Sequence, residues 1–231
     1  MPVAVITGAS RGIGRAIAMR FARDGYDLAI AARHEDDLEA VAEAIGEEAG
    51  VQIFAVAADV GTREGADEIL SAAVERFGRV DVLINNAGTA PLSPIATMDD
   101  DAFHASLDVN VASVFYMTRA AWSKMKKQGG GTIVNISSLA SLDPFPGFAV
   151  YGACKAWVNL FTKAAATEGK ADNIRVFGVG PGAVETQMLR GHFPDFPAAQ
   201  ALEPGAIANA VFAVCDDAFA HSSGQTIFVA K

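Results

Sequence analysis

The sequence contains only two cysteines and no long apolar run. Cys154 and Cys215 are too few for a disulfide framework and lack the spacing of metal ligands, so we expect no metal centre and a reducing compartment such as the cytoplasm. Asp, Arg, Lys or Gly interrupts every apolar stretch before it reaches the length of a membrane crossing. The chain starts directly in an apolar run, Val3–Ile6, without a basic segment or a cleavage-site pattern, so we expect no secretory signal.

Basic residues are also scarce. The chain has 18 Lys and Arg against 27 Asp and Glu, which gives a formal net charge of −9 at pH 7. Nucleic acids and anionic membranes bind basic surfaces, so neither is expected as a partner. A ligand that carries phosphate therefore needs a local cationic site on this protein.

The order of apolar segments predicts the fold. With 231 residues, 51% of them hydrophobic, and no linker or repeat, we expect a single domain that spans residues 1–231. Continuously apolar strands that alternate with helical periodicities predict an α/β protein: a doubly wound (Rossmann) parallel sheet of seven strands with helices on both faces, whose ligands bind beyond the carboxyl ends of the strands. The seven predicted strands are Val3–Thr7, Leu28–Ala32, Val51–Ala57, Val80–Ile84, Thr132–Ile136, Ile174–Val179 and Thr226–Val229.

Two helices are predicted with clear bounds. Apolar residues recur at helical spacing through Asp101–Lys127, with acidic residues before its start, lysines at its end and the glycines 129–131 after it. A second long helix, Phe148–Lys170, carries Tyr151 and Lys155. On a helix this spacing of four places a phenol and an ammonium on one face, where the cation favours the phenolate. Taken alone, such a pair is more often a solvated helix face.

A glycine-rich turn follows the first strand. Gly8, Gly12 and Gly14 lie between the strand and a predicted helix Arg15–Arg23, an arrangement that suits a dinucleotide because the backbone can approach the pyrophosphate and the helix N-terminus faces it. The second predicted strand ends at Ala32 and is followed by Arg33, without the carboxylate that binds the ribose 2′-hydroxyl of NAD. Arg33 and Arg11 instead suit the 2′-phosphate of NADP(H), which we favour over NAD(H). The alternative is that both arginines are ordinary solvated side chains.

Together these motifs resemble one family. The segments Thr7–Gly14 and Asn85–Gly88, the serine at 138 and the Tyr-x-x-x-Lys at 151–155 resemble the short-chain dehydrogenase/reductase family of the classical type, over Val3–Val229. In general pattern they are closest to 3-oxoacyl-carrier-protein reductases. Ser138 precedes Tyr151 by the thirteen positions usual in the family, which selects Ser138 over Ser137 as the catalytic serine.

The resemblance implies a role for each matching residue. Tyr151 would be the general acid in carbonyl reduction, and Lys155 would lower the pKa of the tyrosine and hold the nicotinamide ribose. Ser138 would hydrogen-bond the substrate oxygen, and Asn110 would hold a water of the proton relay. Asn110 also fits a structural buried amide, and Ser138 fits a cap of the next segment. The residues assigned to the cofactor are Gly8, Ser10, Arg11, Gly12, Ile13, Gly14, Arg33, Asp59, Val60, Asn86, Ala87, Gly88, Tyr151, Lys155, Pro181, Gly182, Val184 and Thr186. Among them, Asp59 and Val60 would contact the adenine, residues 86–88 would line the adenosine ribose side, and Pro181, Gly182, Val184 and Thr186 would hold the nicotinamide end. Asp59 also fits a loop cap.

The segments around the expected substrate pocket are rich in aromatic residues and proline. Residues 142–148 and 187–197 border this pocket in the family, which suggests a small apolar carbonyl substrate, although ordinary lid packing explains the composition equally well. The chain lacks the Asp-Gly-Gly that usually follows the last strand, which puts the usual tetramer in doubt. The helices that typically pair subunits remain, so we expect a homodimer and leave a homotetramer open.

Competing functions remain open. The first is NADP-dependent carbonyl reduction. The second is reduction of 3-oxoacyl-carrier protein in fatty-acid synthesis, although Gly129 and Asp172 stand where the family usually presents cations to the carrier. The third is a non-catalytic member that binds NADP as a sensor or scaffold. Halohydrin dehalogenases resemble the family too, but they replace the lysine and lose the glycine loop, whereas Lys155 and Gly8 are present here.

Overall fold

One parallel sheet of seven strands forms the centre of the molecule, and this confirms the predicted doubly wound architecture. The computed structural model describes residues 1–231. The strands are β1 (Val3–Thr7), β2 (Asp27–Ala32), β3 (Ile53–Ala57), β4 (Val82–Asn85), β5 (Gly131–Ile136), β6 (Ile174–Pro181) and β7 (Thr226–Val229). Their order is β3-β2-β1-β4-β5-β6-β7. Because the order reverses between β1 and β4, a crevice opens at the carboxyl ends of these two strands, where a ligand of such a sheet binds.

Eight helices surround the sheet. They are α1 (Gly12–Arg23), α2 (Glu35–Ala49), α3 (Arg63–Phe77), α4 (Asp100–Leu107), α5 (Ser113–Lys127), α6 (Ala149–Gly169), α7 (Gln187–His192) and α8 (Pro204–Val214). Side chains of β1 alternate between the two faces of the sheet, as the pleat requires. Ala4 and Ile6 pack in the core under α1, α2 and α8, whereas Val5 packs in the core under α3, α5 and α6. None of the helices has both the length and the apolar sequence needed to span a membrane.

The long helix predicted over Asp101–Lys127 is present, but it is not a regular α-helix throughout. A π-helical turn, Asp108–Ala112, separates α4 from α5. Asn110 lies in this turn, and its side-chain amide donates a hydrogen bond to the carbonyl oxygen of Ser106 (2.9 Å), which a regular helix reserves for the backbone amide of Asn110. The Asn110 side chain thus competes with a backbone amide for a helical hydrogen-bond acceptor at the place where the turn widens. Such turns often lie at functional sites.

Candidate active site

The glycine loop between β1 and α1 has the form of a phosphate cradle. Gly8 and Gly12 have positive φ angles of 65° and 55°, and a Cβ atom on Gly8 would come within 2.9 Å of the Ala87 Cα. Helix α1 begins at Gly12 with no side-chain cap and no acidic residue in its first turn. Its first backbone N–H groups and its dipole are therefore free to bind a pyrophosphate. The loop fits a dinucleotide.

Asn86 holds this loop in place. Its side-chain amide donates to the carbonyl oxygens of Thr7 (2.9 Å) and Gly8 (3.1 Å), and the Thr7 hydroxyl accepts hydrogen bonds from the backbone amides of Asn86 and Ala87, both 3.0 Å away. A Cβ atom on Gly14 would lie only 2.1 Å from the Gly8 oxygen. The predicted cofactor residues at 86–88 thus lie directly against the loop, and the amide of Asn86 is used to shape it.

The residues predicted to contact the adenosine part lie at the ends of β2 and β3. Arg33 is exposed beyond β2, and the first acidic side chains after it belong to the first turn of α2. Arg11 is exposed as well, and its guanidinium donates to the Gln187 side chain of α7 at 2.9 Å. The carboxylate of Asp59 accepts a hydrogen bond from the backbone amide of Gly61 (2.9 Å), so it does cap a turn. Val60 beside it is buried.

The Tyr151–Lys155 pair lies on the first turns of α6. Lys155 is 3% exposed, and its ammonium donates to the carbonyl oxygen of Ile136 at the end of β5, 2.9 Å away. Burial lowers the pKa of Lys155 from 10.5 to about 8, because a low-dielectric environment disfavours the charged form. The ammonium lies 5.8 Å from the centre of the Tyr151 ring. The two side chains therefore share one small space.

Burial dominates the environment of Tyr151. It raises the pKa of the phenol, the nearby Ser138 side chain opposes this rise, and Cys154 adds to it. The Lys155 ammonium lies near the ring but donates its hydrogen bond to the Ile136 oxygen. The phenol is consequently held in its neutral, proton-donating form.

Ser138 begins the short turn Leu139–Ser141 that follows β5. Its hydroxyl oxygen accepts a hydrogen bond from the backbone amide of Ala140 at 3.2 Å, so it is a cap as well as a neighbour of the phenol. The hydroxyl of Ser137 is buried and donates to the carbonyl oxygen of Lys155 at 3.2 Å. Of the two serines, Ser138 is therefore the one that reaches the phenol.

Asn110 lies against the same space from the other side. It is fully buried, and its amide donates to the Thr89 oxygen (2.8 Å) while its oxygen accepts from the Thr89 amide (3.3 Å). A Cβ atom on Gly88 would lie 3.1 Å from the Asn110 side-chain oxygen and 3.5 Å from the Lys155 ammonium. The structure therefore brings Asn110, Lys155, Tyr151 and Ser138 together around the carboxyl ends of β4 and β5.

The predicted residues of the nicotinamide end follow β6. Pro181 is the last residue of β6, Val184 is buried, and the Gly182 amide donates to the Val229 oxygen at 2.8 Å. Thr186 caps α7 by accepting a hydrogen bond from the Leu189 amide at 3.3 Å. A Cβ atom on Gly12 would lie 3.3 Å from the Thr186 methyl group. This segment therefore lies directly beside the glycine loop.

Aromatic rings pack beside Tyr151. The Phe148 ring lies 5.4 Å from the Tyr151 ring and 6.1 Å from both His192 and Phe193, measured between ring centres. Phe145 lies 6.2 Å from Phe193. The segment before α6 and residues 187–197, which we term the lid, thus meet over the phenol. They form an apolar wall.

A third wall segment escaped the sequence analysis. The backbone amide of Ser93 donates to the Gly147 oxygen at 3.0 Å, and a Cβ atom on Gly147 would lie 2.6 Å from the exposed Leu92 side chain. The sequence signal that could have identified this segment is the pair of prolines at 91 and 94, shortly after the Asn85–Gly88 motif. A bidentate ion pair between Arg190 and Glu185 (2.6 and 2.7 Å) was also missed, and it ties the lid helix to the end of β6.

Comparison with known proteins gives consistent matches over the whole chain. The family model of the short chain dehydrogenases matches residues 2–195. The 3-oxoacyl-acyl-carrier-protein reductase of Staphylococcus epidermidis is 36% identical over 235 residues, which cover 98% of this chain and 96% of that protein. The crystal structure of L-sorbose reductase from Gluconobacter frateurii, complexed with NADPH and L-sorbose, matches with a TM-score of 0.92 and 31% identity, over 99% of this chain and 95% of that one. The 3-ketoacyl-acyl-carrier-protein reductase of Brucella melitensis, complexed with NADH, matches with a TM-score of 0.91 and 33% identity, over 99% of this chain and 96% of that one.

Proposed function

The chain belongs to the short-chain dehydrogenase family, and we propose that within it the protein is an NADP(H)-dependent oxidoreductase that interconverts a carbonyl and a secondary alcohol. One observation supports this: four side chains come together at the carboxyl ends of the strands, those of Tyr151, Lys155, Ser138 and Asn110. They lie beside the glycine loop, which leads into a helix without a side-chain cap. Within one small space, these groups supply a general acid, a cation and a hydrogen-bond donor to the oxyanion that develops on the substrate.

The residues divide the chemistry between them. When bound, the nicotinamide supplies or accepts the hydride at the substrate carbon. Tyr151 donates its phenolic proton to the carbonyl oxygen as negative charge develops there, and burial keeps the phenol neutral for this purpose. The hydroxyl of Ser138 donates a hydrogen bond to the same oxygen. The Lys155 ammonium places a positive charge beside the reacting groups and can hold the ribose hydroxyls. We assign to Asn110 the binding of a water molecule that links Lys155 to the proton relay.

The preference for NADP(H) is supported by the end of β2. No carboxylate stands at this strand end, Arg33 is an exposed cation directly beyond it, and Arg11 is an exposed cation of the glycine loop. Solved members of the family have NADPH or NADH bound, so the choice depends on such residues rather than on the fold. A 2′-phosphate beside a guanidinium gains charge-assisted hydrogen bonds.

The substrate we propose is a small apolar carbonyl compound. The Phe148 ring packs on Tyr151 and on the rings of Phe145 and Phe193. Leu92 beside Gly147 and Met188 of α7 expose apolar side chains. Burial of apolar substrate surface against these side chains provides the binding energy. The free cysteines of the chain suit the reducing cytoplasm, where such reductions draw on NADPH.

A substrate panel tests this function. Purified protein with NADPH would be offered aryl ketones, diketones, quinones and 3-oxoacyl thioesters, and the loss of NADPH absorbance would be followed. We expect turnover of apolar ketones and none by the Tyr151→Phe variant. Binding of NADPH without turnover of any carbonyl would favour a sensor or scaffold. Absence of binding by both NADPH and NADH would contradict both functions.

Reduction of a carrier-bound 3-oxoacyl group is the second candidate, since two of the relatives carry that name. One of the three lysines at the end of α5 is already engaged, because Lys126 is paired with Asp172 at 2.8 Å. The same panel separates the two candidates. If the carrier docks on this surface, a 3-oxoacyl group on an acyl carrier protein should be reduced much faster than the free thioester.

We also propose that the protein is a homodimer. Four large apolar side chains form what we term the apolar face of α4, α5 and α6: Phe103, Phe115, Trp157 and Leu160. A groove of about 420 Å³ in this face is lined entirely by hydrophobic residues. In a dimer with a two-fold axis, the same apolar face of a second copy of the chain would cover this one. Exposed apolar patches of this kind mark interfaces.

A further inference from the structure

The turn that carries Ser138 is tied to α6 by a side-chain relay. The hydroxyl of Ser141 donates to the backbone oxygen of Ser138 at 2.6 Å. The side-chain amide of Asn159 donates to the Ser141 hydroxyl oxygen at 2.8 Å, across 18 positions of the sequence. Because a hydroxyl has only one hydrogen, the relay runs in one direction, from Asn159 through Ser141 to Ser138.

We propose that Asn159 is a positioning residue for Ser138, which it holds beside Tyr151 by fixing the hydroxyl of Ser141. This inference rests on the proposed function, because it assigns Asn159 to the same site. Asn159 lies two turns beyond the tyrosine on α6 and touches none of the groups assigned to catalysis except through Ser141.

The serine turn is already attached to the face of α6 that bears Asn159, so one further hydrogen bond is enough to fix its position. Gly152, Lys155 and Asn159 follow one another at helical spacings of three and four, so they lie on one face. At Gly152 the turn approaches so closely that a Cβ atom would lie 2.6 Å from the Ala140 oxygen. At Lys155 the ammonium is bonded to Ile136, just before the turn. Asn159 supplies the third point of attachment, on the far side of the turn.

The amide of Asn159 has no other hydrogen-bonding use. Its side-chain oxygen is buried and has no hydrogen-bond partner, which costs free energy. An apolar side chain of the same size would avoid that cost and would lose only the bond to Ser141. What the amide contributes at this position is therefore its hold on the serine turn.

The position of Ser138 in turn affects Tyr151. The Ser138 side chain opposes the rise that burial causes in the pKa of the phenol, while Cys154 increases it. The other charged or titratable groups near the phenol are Lys155 on α6 and, behind Phe148, His192 of the lid. If the serine turn is released, the Ser138 contact weakens and the phenol pKa rises further. A substitution that merely loosened the fold would not raise it selectively.

The experiment compares Asn159→Leu with Thr167→Val. Leucine matches the size of the amide side chain and lacks its N–H donor. Thr167 is exposed on the same helix, and its hydroxyl bonds only to the Lys163 oxygen (3.1 Å), so it serves as the matched control. We expect Asn159→Leu to lower kcat about tenfold with little change in the KM for NADPH, well below the about 10²–10⁴-fold that a general acid contributes. Thr167→Val should behave like the unchanged protein.

Titration of the phenol provides a readout that does not depend on turnover. The chain has three tyrosines, so the tyrosinate absorbance of Tyr151 is obtained by subtracting that of a Tyr151→Phe variant. The midpoint should rise in Asn159→Leu and in Ser141→Ala, and the double variant should add nothing further, because both act through one relay. If Asn159→Leu does not fold, Ser141→Ala carries the same test.

The outcomes separate this inference from the proposed function. If the unchanged protein reduces no carbonyl, the proposed function fails, while the phenol titration of the unliganded variants still decides the role of Asn159. An unshifted midpoint in folded Asn159→Leu and Ser141→Ala would overturn the inference, whether or not the protein is an active reductase. Equal kcat in Asn159→Leu and the unchanged protein would overturn it as well.

Discussion

The Lys155 ammonium lies 5.8 Å from the centre of the Tyr151 ring and donates its hydrogen bond to the backbone of β5, at the Ile136 oxygen. It is therefore anchored to the sheet, close to the phenol. Its burial opposes its charge, and the pKa of Lys155 falls to about 8. Within the pair, the lysine is consequently the group that titrates nearest to neutral pH.

This gives a prediction for the pH dependence of carbonyl reduction. Below about pH 8 the Lys155 side chain carries its positive charge, and above it the side chain becomes neutral, whereas burial keeps Tyr151 protonated over the same range. We expect kcat/KM for reduction, which reports the free enzyme, to fall as the pH rises through about 8. Initial rates at low substrate concentration measure it. A profile that stays flat up to pH 10 would show that Lys155 remains charged.

Replacement of the tyrosine tests its role directly. Tyr151→Phe removes the proton donor and keeps the ring that packs on Phe148. We expect reduction to slow by at least the about 10²–10⁴-fold that general acid catalysis supplies, with NADPH affinity nearly unchanged. Rate assays and NADPH fluorescence titration measure the two effects. Full activity of this variant would remove Tyr151 from the mechanism.

Cofactor preference should change with Arg33. In Arg33→Asp a carboxylate replaces the exposed cation beyond β2, which favours a ribose hydroxyl and repels a 2′-phosphate. We expect the affinity for NADPH to fall about 10–100-fold, the equivalent of about 1.5–3 kcal/mol for a charge-assisted hydrogen bond, and the affinity for NADH to hold or rise. Fluorescence titration with both cofactors measures the ratio.

Lys170→Asp is the matched control for this change of cofactor preference. It makes the same change of charge in the short turn after α6, just before β6 begins and hence at the amino ends of the strands, whereas Arg33 follows the carboxyl end of β2. Its ratio of NADPH to NADH affinity should equal that of the unchanged protein. If Arg33→Asp leaves the ratio unchanged, the 2′-phosphate is held elsewhere, and Arg11 becomes the next residue to replace.

The sequence predicted the strands well because a buried parallel strand is a local pattern. Continuous apolar runs mark buried parallel strands wherever they occur, and the predicted strand bounds differ from the observed ones by at most two positions. The π-helical turn at Asn110 was not predictable in this way, since one wide turn hardly disturbs the apolar periodicity on either side. It depends on the bond to Ser106, a contact of side chain with backbone.

Contacts between distant segments account for the rest of what the sequence did not predict. The wall segment around Leu92 joins the site only because residues 93 and 147 are bonded across the fold. The relay from Asn159 depends on the close approach of the serine turn to α6 at Gly152. The hydrogen bond of Lys155 to Ile136 likewise depends on how α6 docks on β5. Periodicity and spacing do not encode such approaches.

The proposed homodimer is tested at the most exposed residue of the apolar face. Leu160 is 70% exposed, so Leu160→Glu should leave the fold of a single chain intact and place a charge within the interface. We expect this variant to sediment as a monomer at concentrations where the unchanged protein is a dimer. Met188→Glu, which changes an exposed apolar residue of the lid helix α7 in the same way, should remain dimeric. Analytical ultracentrifugation distinguishes these states, and a dimeric Leu160→Glu protein would place the interface on another surface.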